Sequence, residues 1–210
     1  IRKFISNLRV YPLRIALSIL NIILTRCQWC EGNPLYVEYH DNDWGVPVFD
    51  TQKQFESLTL EIFQAGLSWI TILKKRENLR RAFDHFDYNK VALYEENKIY
   101  MLMKDSGIIR NRLKIEATIN NAQCFIGFEE NGKSFSDYIW SFINHKTVQN
   151  NYENSDLIPS QTSLSKVISD DLKKRGLRFV GPKIIYSHMQ ASGLVNNHLT
   201  GCFRHQHLKG

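Results

Sequence analysis

Glu61-Ile62-Phe63-Gln64-Ala65-Gly66-Leu67-Ser68-Trp69 reads as the end of one helix, a tight Gly-Leu-Ser corner and the start of another. Upstream, Thr51 with Gln54 makes a capping-box start, and Asp50 is a second candidate cap. Phe55, Leu58, Ile62 and Ala65 recur at helical spacing and form the buried stripe. Glu61 stands at the edge of that stripe, where a carboxylate is costly unless it is paired or faces a pocket. With Trp69 one corner away, the acid and the flat ring make a floor and a wall for a flat ligand. The alternative is a capped amphipathic helix whose Glu61 reaches solvent.

Downstream, Trp69, Ile72, Leu73, Leu79 and Phe83 keep the helical rhythm, with Lys74, Lys75, Arg80 and Arg81 outside. A short helix is predicted over 90–96. A turn centred on Gly107 then joins two helices, the second running from about residue 112 to 125. The start of such a helix exposes backbone N–H groups that suit a phosphate, and Arg110, Arg112 and Lys114 add positive charge. An ordinary helical hairpin with a solvated basic side fits the same residues. Further helices are predicted over 134–144, 165–175 and 183–192, the last two stopped by Gly176 and Gly193. Residues 150–159 form a polar connection, and the tail is expected to fray from Arg204. Neither an internal repeat nor sustained strand alternation is present, so the predicted class is all-α.

Upstream of the Glu61 helix, residues 27–44 crowd Cys27, Trp29, Cys30, Tyr36, Tyr39, His40 and Trp44 into short, irregular structure, where binding residues tend to collect. One or two helical turns over 35–40 would put Tyr36 and His40 on one face. Twelve residues separate Cys27 from His40, and three separate His198 from Cys202. Two thiolates and two imidazoles suit a closed tetrahedral zinc site, which would join one end of the domain to the other. Cys30 rivals Cys27 through its C-x-x-C spacing, and buried free thiols with surface histidines remain the plain alternative.

The chain has 210 residues, 43% of them hydrophobic, enough for one sizeable core or two small lobes. Four cysteines in this length argue against a disulfide scaffold and for a reducing compartment. Lys and Arg outnumber Asp and Glu by 27 to 21, a net charge of +6 that favours polyanions. Residues 1–25 are basic and acid-free, and their apolar run over 15–24 is shorter than the roughly 20 residues of a membrane span. An organelle-targeting segment, a helix packed on the core and an extension outside the natural domain are the readings open there.

Several blocks taken together are more specific than any spacing. They are Arg26-Cys27-x-Trp29, Pro34-Leu35-Tyr36-x-x-Tyr39-His40-Asp41-Asn42-x-Trp44-Gly45-Val46-Pro47, and Gln64 through Asn78. Gly107-Ile108-Ile109-Arg110, Phe179-Val180-Gly181 and Gln190-Ala191-x-Gly193-Leu194-Val195-Asn196-x-His198 with Cys202 continue them. In these blocks the sequence closely resembles the bacterial 3-methyladenine DNA glycosylase I family, enzymes that excise alkylated adenine. The match covers about 26–204, leaving 1–25 as an extension and 205–210 as a tail. The resemblance implies a helix-hairpin-helix glycosylase fold with one structural zinc per chain on Cys27, His40, His198 and Cys202. It carries the base pocket onto Tyr36, Tyr39, Glu61 and Trp69, with Trp29 and Trp44 beside it. It also implies that Gly66 and Leu67 press into the gap left by a flipped nucleotide. The partner it implies is double-stranded DNA bearing alkylated adenine, met by a monomer without an obligate protein partner. The resemblance does not extend to targeting; the expected location is the bacterial cytoplasm, with the role of 1–25 left open.

Elementary chemistry agrees with that implication. A base inside a duplex must be extruded before it can be reached. An N3-alkylated adenine is cationic, so an aromatic cage prefers it to neutral adenine by about 1–2 kcal/mol when desolvated. Glu61 accepts hydrogen bonds from the adenine amino edge and opposes the charge; activation of water is its secondary role. A DNA-binding protein that does not cut is the competing class, and it needs no closed aromatic pocket.

Overall fold

Asp50 opens the helix that carries Glu61: its side chain accepts from Lys53 N at 2.8 Å. The predicted capping box on Thr51 does not form, because the Gln54 amide is drawn inward to donate to Val48 O. The computed structural model describes residues 24–209. The readings offered for the basic leader therefore fall almost wholly outside the described residues.

The helices are α1 (Pro34–Asn42), α2 (Thr51–Gln64), α3 (Trp69–Ala82), α4 (Tyr88–Val91), α5 (Glu96–Lys104), α6 (Arg112–Glu130), α7 (Phe135–Ser141), α8 (Ser163–Lys174), α9 (Pro182–Ala191) and α10 (Phe203–His207). The all-α expectation holds, with one addition: β1 (Val148–Gln149) pairs in parallel with β2 (Val195–Asn196). That ladder is too short to show as alternation in the sequence. α2 is the central helix and packs on α9, α3, α6 and α7. Its Phe55, Leu58, Ile62 and Phe63 are fully buried, and Phe55 meets Phe125 of α6 edge-on, ring centroids 5.0 Å apart. Glu61 is thereby held on the helix with the most packing partners around it.

Two local expectations are corrected. The helix predicted over 90–96 is instead broken: it takes in the end of α4, which Asp87 caps through Asn89 N, the connection over 92–95, and the first residue of α5, Glu96. The tail does not fray at Arg204: α10 continues to His207, and its buried His205 lies 2.9 Å from Asn150 O.

Candidate functional site

Asn33 caps α1 by accepting from Leu35 N, and Pro34 sets its first turn. This short helix presents His40 inward, where it meets Cys27, His198 and Cys202. All four residues are buried, and their ligand atoms lie within 4.8 Å of one another. His40 Nε2 is 3.2 Å from His198 Nδ1 and 3.4 Å from Cys202 Sγ; Cys27 Sγ is 3.8 Å from His198 Nδ1. The edges of a tetrahedron of two nitrogens and two sulfurs around one ion are about 3.3–3.8 Å, so the donor set fits a bound metal. The outward nitrogens are spoken for. His40 Nδ1 donates to Asp41 Oδ1 at 2.8 Å and His198 Nε2 to Trp44 O at 3.0 Å, which fixes the tautomer that turns a lone pair inward. Arg26 holds Asp41 in turn. Cys30 stands apart: its Sγ donates to Cys27 O. Gly45 passes so close that a Cβ there would lie 3.1 Å from the His198 ring.

Trp29, Tyr36, Tyr39 and Trp44 come from the segment that this cluster anchors. With Glu61 and Trp69 they line one cavity of about 250 Å³. Trp29 and Trp44 pack edge to face at 5.1 Å, and Tyr39 lies 5.2 Å from Trp69. The Tyr36 hydroxyl accepts from Ile70 N at 3.1 Å, in the first turn of α3, where Ser68 supplies no cap. The aromatic wall is therefore pinned to the Trp69 helix. Gln64, Ser187 and Gln190 complete the lining. Gln190 stands in the sequence blocks without an assigned role, and Ser187 carries no signal that separates it from a solvated helix face. A larger cleft of about 390 Å³ shares Tyr39 and Trp69, but its Arg76, Arg80 and Glu56 are paired among themselves.

Glu61 is 6% exposed, and burial pushes its carboxyl up to about 8. The Tyr39 hydroxyl is raised well above its usual range by the same desolvation and by Glu61, so it stays a donor. The Trp69 indole N–H is buried without an acceptor among the described residues. A floor that must ionise against its surroundings and electron-rich walls favour a flat cation.

At the mouth, Gly66 turns with φ +83° and Leu67 is 38% exposed. The basic residues expected to grip phosphate are less uniform than their spacing suggests. Arg112 is held by Glu96 and Glu116, and the Gly107 N–H donates to Asp105. Asn111 caps α6. Lys114 is corrected: it is 6% exposed, and its Nζ donates inward to Phe63 O at 2.9 Å and Ala65 O at 2.7 Å. It falls on the buried face of α6 with Ala117, Thr118 and Asn121, a helical periodicity that the sequence displays. Arg110 is exposed and makes no ion pair among the described residues. A second hairpin lies between α8 and α9 and contains the Phe179-Val180-Gly181 block. α9 begins at Gly181-Pro182 without a side-chain cap, Phe179 holds φ +56°, and Arg178 and Lys183 are exposed.

The family model described as methyladenine glycosylase matches residues 29–205. DNA-3-methyladenine glycosylase 1 of Escherichia coli (strain K12) is 51% identical over 179 residues, covering 85% of this chain and 96% of the relative. A crystal structure of 3-methyladenine DNA glycosylase I superposes with a TM-score of 0.83 at 50% identity, covering 85% of this chain and 98% of the other. A variant of another such enzyme, crystallised in complex with 3-methyladenine, gives 0.82 at 37% identity over 85% of this chain and 96% of its own.

Proposed function

The chain belongs to the methyladenine glycosylase family, and from that premise we infer that it is a DNA-3-methyladenine glycosylase, a hydrolase of base-excision repair. The observation that carries the reading onto this chain's own residues is the cavity that sets Glu61 among Trp29, Tyr36, Tyr39, Trp44 and Trp69.

The alkylated adenine swings out of the duplex into that cavity, and Leu67, presented at the Gly66 turn, fills the space it leaves. Trp69 and Tyr39 stack on the cationic ring. Glu61 ionises against the cation and accepts from its amino edge. The glycosidic bond then breaks with its electron pair going to the base, which leaves neutral. Water adds to the sugar carbon and gives up a proton. A neutral adenine brings no charge to offset the ionisation of Glu61, and the pocket discriminates on that difference.

Arg110 and the uncapped start of α9 hold the phosphate backbone on either side. The chemistry of two thiolates and two imidazoles selects zinc at Cys27, His40, His198 and Cys202, where the ion acts as a fixed joint. We place the protein in the bacterial cytoplasm, a location that the bacterial relatives support. The test is release of free 3-methyladenine from methylated duplex DNA, followed by chromatography; no release from active-site-intact protein overturns the reading. Among the described residues no helix is long and apolar enough to cross a membrane.

A further inference from the structure

Lys114 presents a problem that the base pocket does not solve. A buried ammonium is costly, and an apolar side chain would fill the same space at less expense. Here the ammonium bonds the carbonyls of Phe63 and Ala65, at the point where α2 ends and the Gly66 turn begins. Those carbonyls have no partner within the helix, and a cation is favoured at a helix C-terminus. Two turns further along α6, about 10 Å away, the adjacent Asn121 and Asn120 hold the other hairpin. Asn121 donates to Arg178 O at 3.0 Å and accepts from Arg178 N at 2.8 Å, while Asn120 donates to Gly176 O at 2.8 Å. One helix therefore grips the backbone of both the Gly66 corner, which Gln64 joins to the cavity lining, and the α8–α9 hairpin.

We propose that Lys114 is a positioning residue for base extrusion: it fixes the Gly66–Leu67 corner on α6, and Asn121 fixes the α8–α9 hairpin on the same helix, so α6 sets the spacing between wedge and grip. The inference rests on the glycosylase reading above. Lys114 touches neither the base nor the phosphates; it acts through the backbone it holds.

The test is Lys114→Met, read on four quantities in the full chain. Free 3-methyladenine affinity should stay within about two-fold, because the cavity lining is untouched. The salt slope of binding to undamaged duplex should not change, because no phosphate contact is lost. Single-turnover excision from a duplex should fall about ten- to a hundred-fold, the scale of a small misplacement. Excision of the same lesion from an unpaired bubble, where the base needs no wedge, should fall much less. Equal losses on duplex and bubble, a loss of free-base affinity, or wild-type excision throughout would overturn the proposal. A salt slope lowered by about one would return Lys114 to the phosphate backbone. If Lys114→Met fails to fold, Lys114→Gln, which keeps a donor, carries the same comparison with an intermediate split. A wild-type protein that releases no base from either substrate would instead overturn the glycosylase reading.

Discussion

Glu61 is where stability and chemistry oppose each other. Its carboxyl titrates near 8 in the fold against 4.5 when exposed. The stability it contributes is full below pH 4.5, where both states hold the proton, and is lost as the pH rises through about 8. Glu61→Gln cannot ionise, so its denaturation free energy should gain on wild type between pH 5 and pH 9 by on the order of a few kcal/mol. Parallel curves for the two proteins would place Glu61 in a solvated setting. Catalysis should show the opposite dependence. The anion is the form that grips a cation, so kcat/KM should rise with pH to a plateau above about 8. The corresponding limb in kcat should lie lower, because the bound cation favours the ionised form. Glu61→Gln should abolish that limb and cost one to two decades, the roughly 1.5–3 kcal/mol of a charge-assisted hydrogen bond. A variant that keeps the wild-type limb would assign it to another group.

At the level of elements, the proposed wedge at the α2–α3 corner and the proposed phosphate contacts at the two hairpins make separate predictions. Leu67→Gly should retain free 3-methyladenine binding yet lose most duplex excision, measured by single turnover; unchanged excision would remove the wedge. Arg110→Ser should weaken binding to all duplexes alike and lower the salt slope by about one, whereas Arg112→Ser, already committed to Glu96 and Glu116, should do less. The helices themselves were legible, because Phe55, Leu58 and Ile62 announce α2 and Gly176 and Gly193 mark the ends of α8 and α9. The family blocks named the aromatic residues that line the cavity. Direction was harder to read. Arg110, Arg112 and Lys114 look alike as a run of charge, but Arg110 precedes the cap, Arg112 begins the helix outward and Lys114 completes the first turn inward. Helix capping was ambiguous at Asp50 and Thr51, because both residue types suit the position and only the inward pull on Gln54 decides.

Across the whole molecule, the Cys27, His40, His198 and Cys202 cluster ties together segments far apart in the chain, and Phe203 N donates to Thr25 O at 2.9 Å beside it. Closing a loop of this length is worth about 5 kcal/mol in the chain-entropy picture. Removing the metal by chelation, or substituting Cys202→Ser, should therefore lower the melting temperature and weaken free-base binding together. The second effect follows because Trp29, Tyr36 and Tyr39 hang from the anchored segment. A melting temperature indifferent to chelator would deny the cluster its ion. The arrangement also bears on synthesis. A ribosome makes the aromatic wall early and delivers His198 and Cys202 only after every other part of the pocket has emerged. A chain that stalls before those two residues carries Glu61 and Trp69 but no fastened wall opposite them. A chain truncated before His198 should accordingly lose free-base binding, which titration of the purified fragment with 3-methyladenine checks.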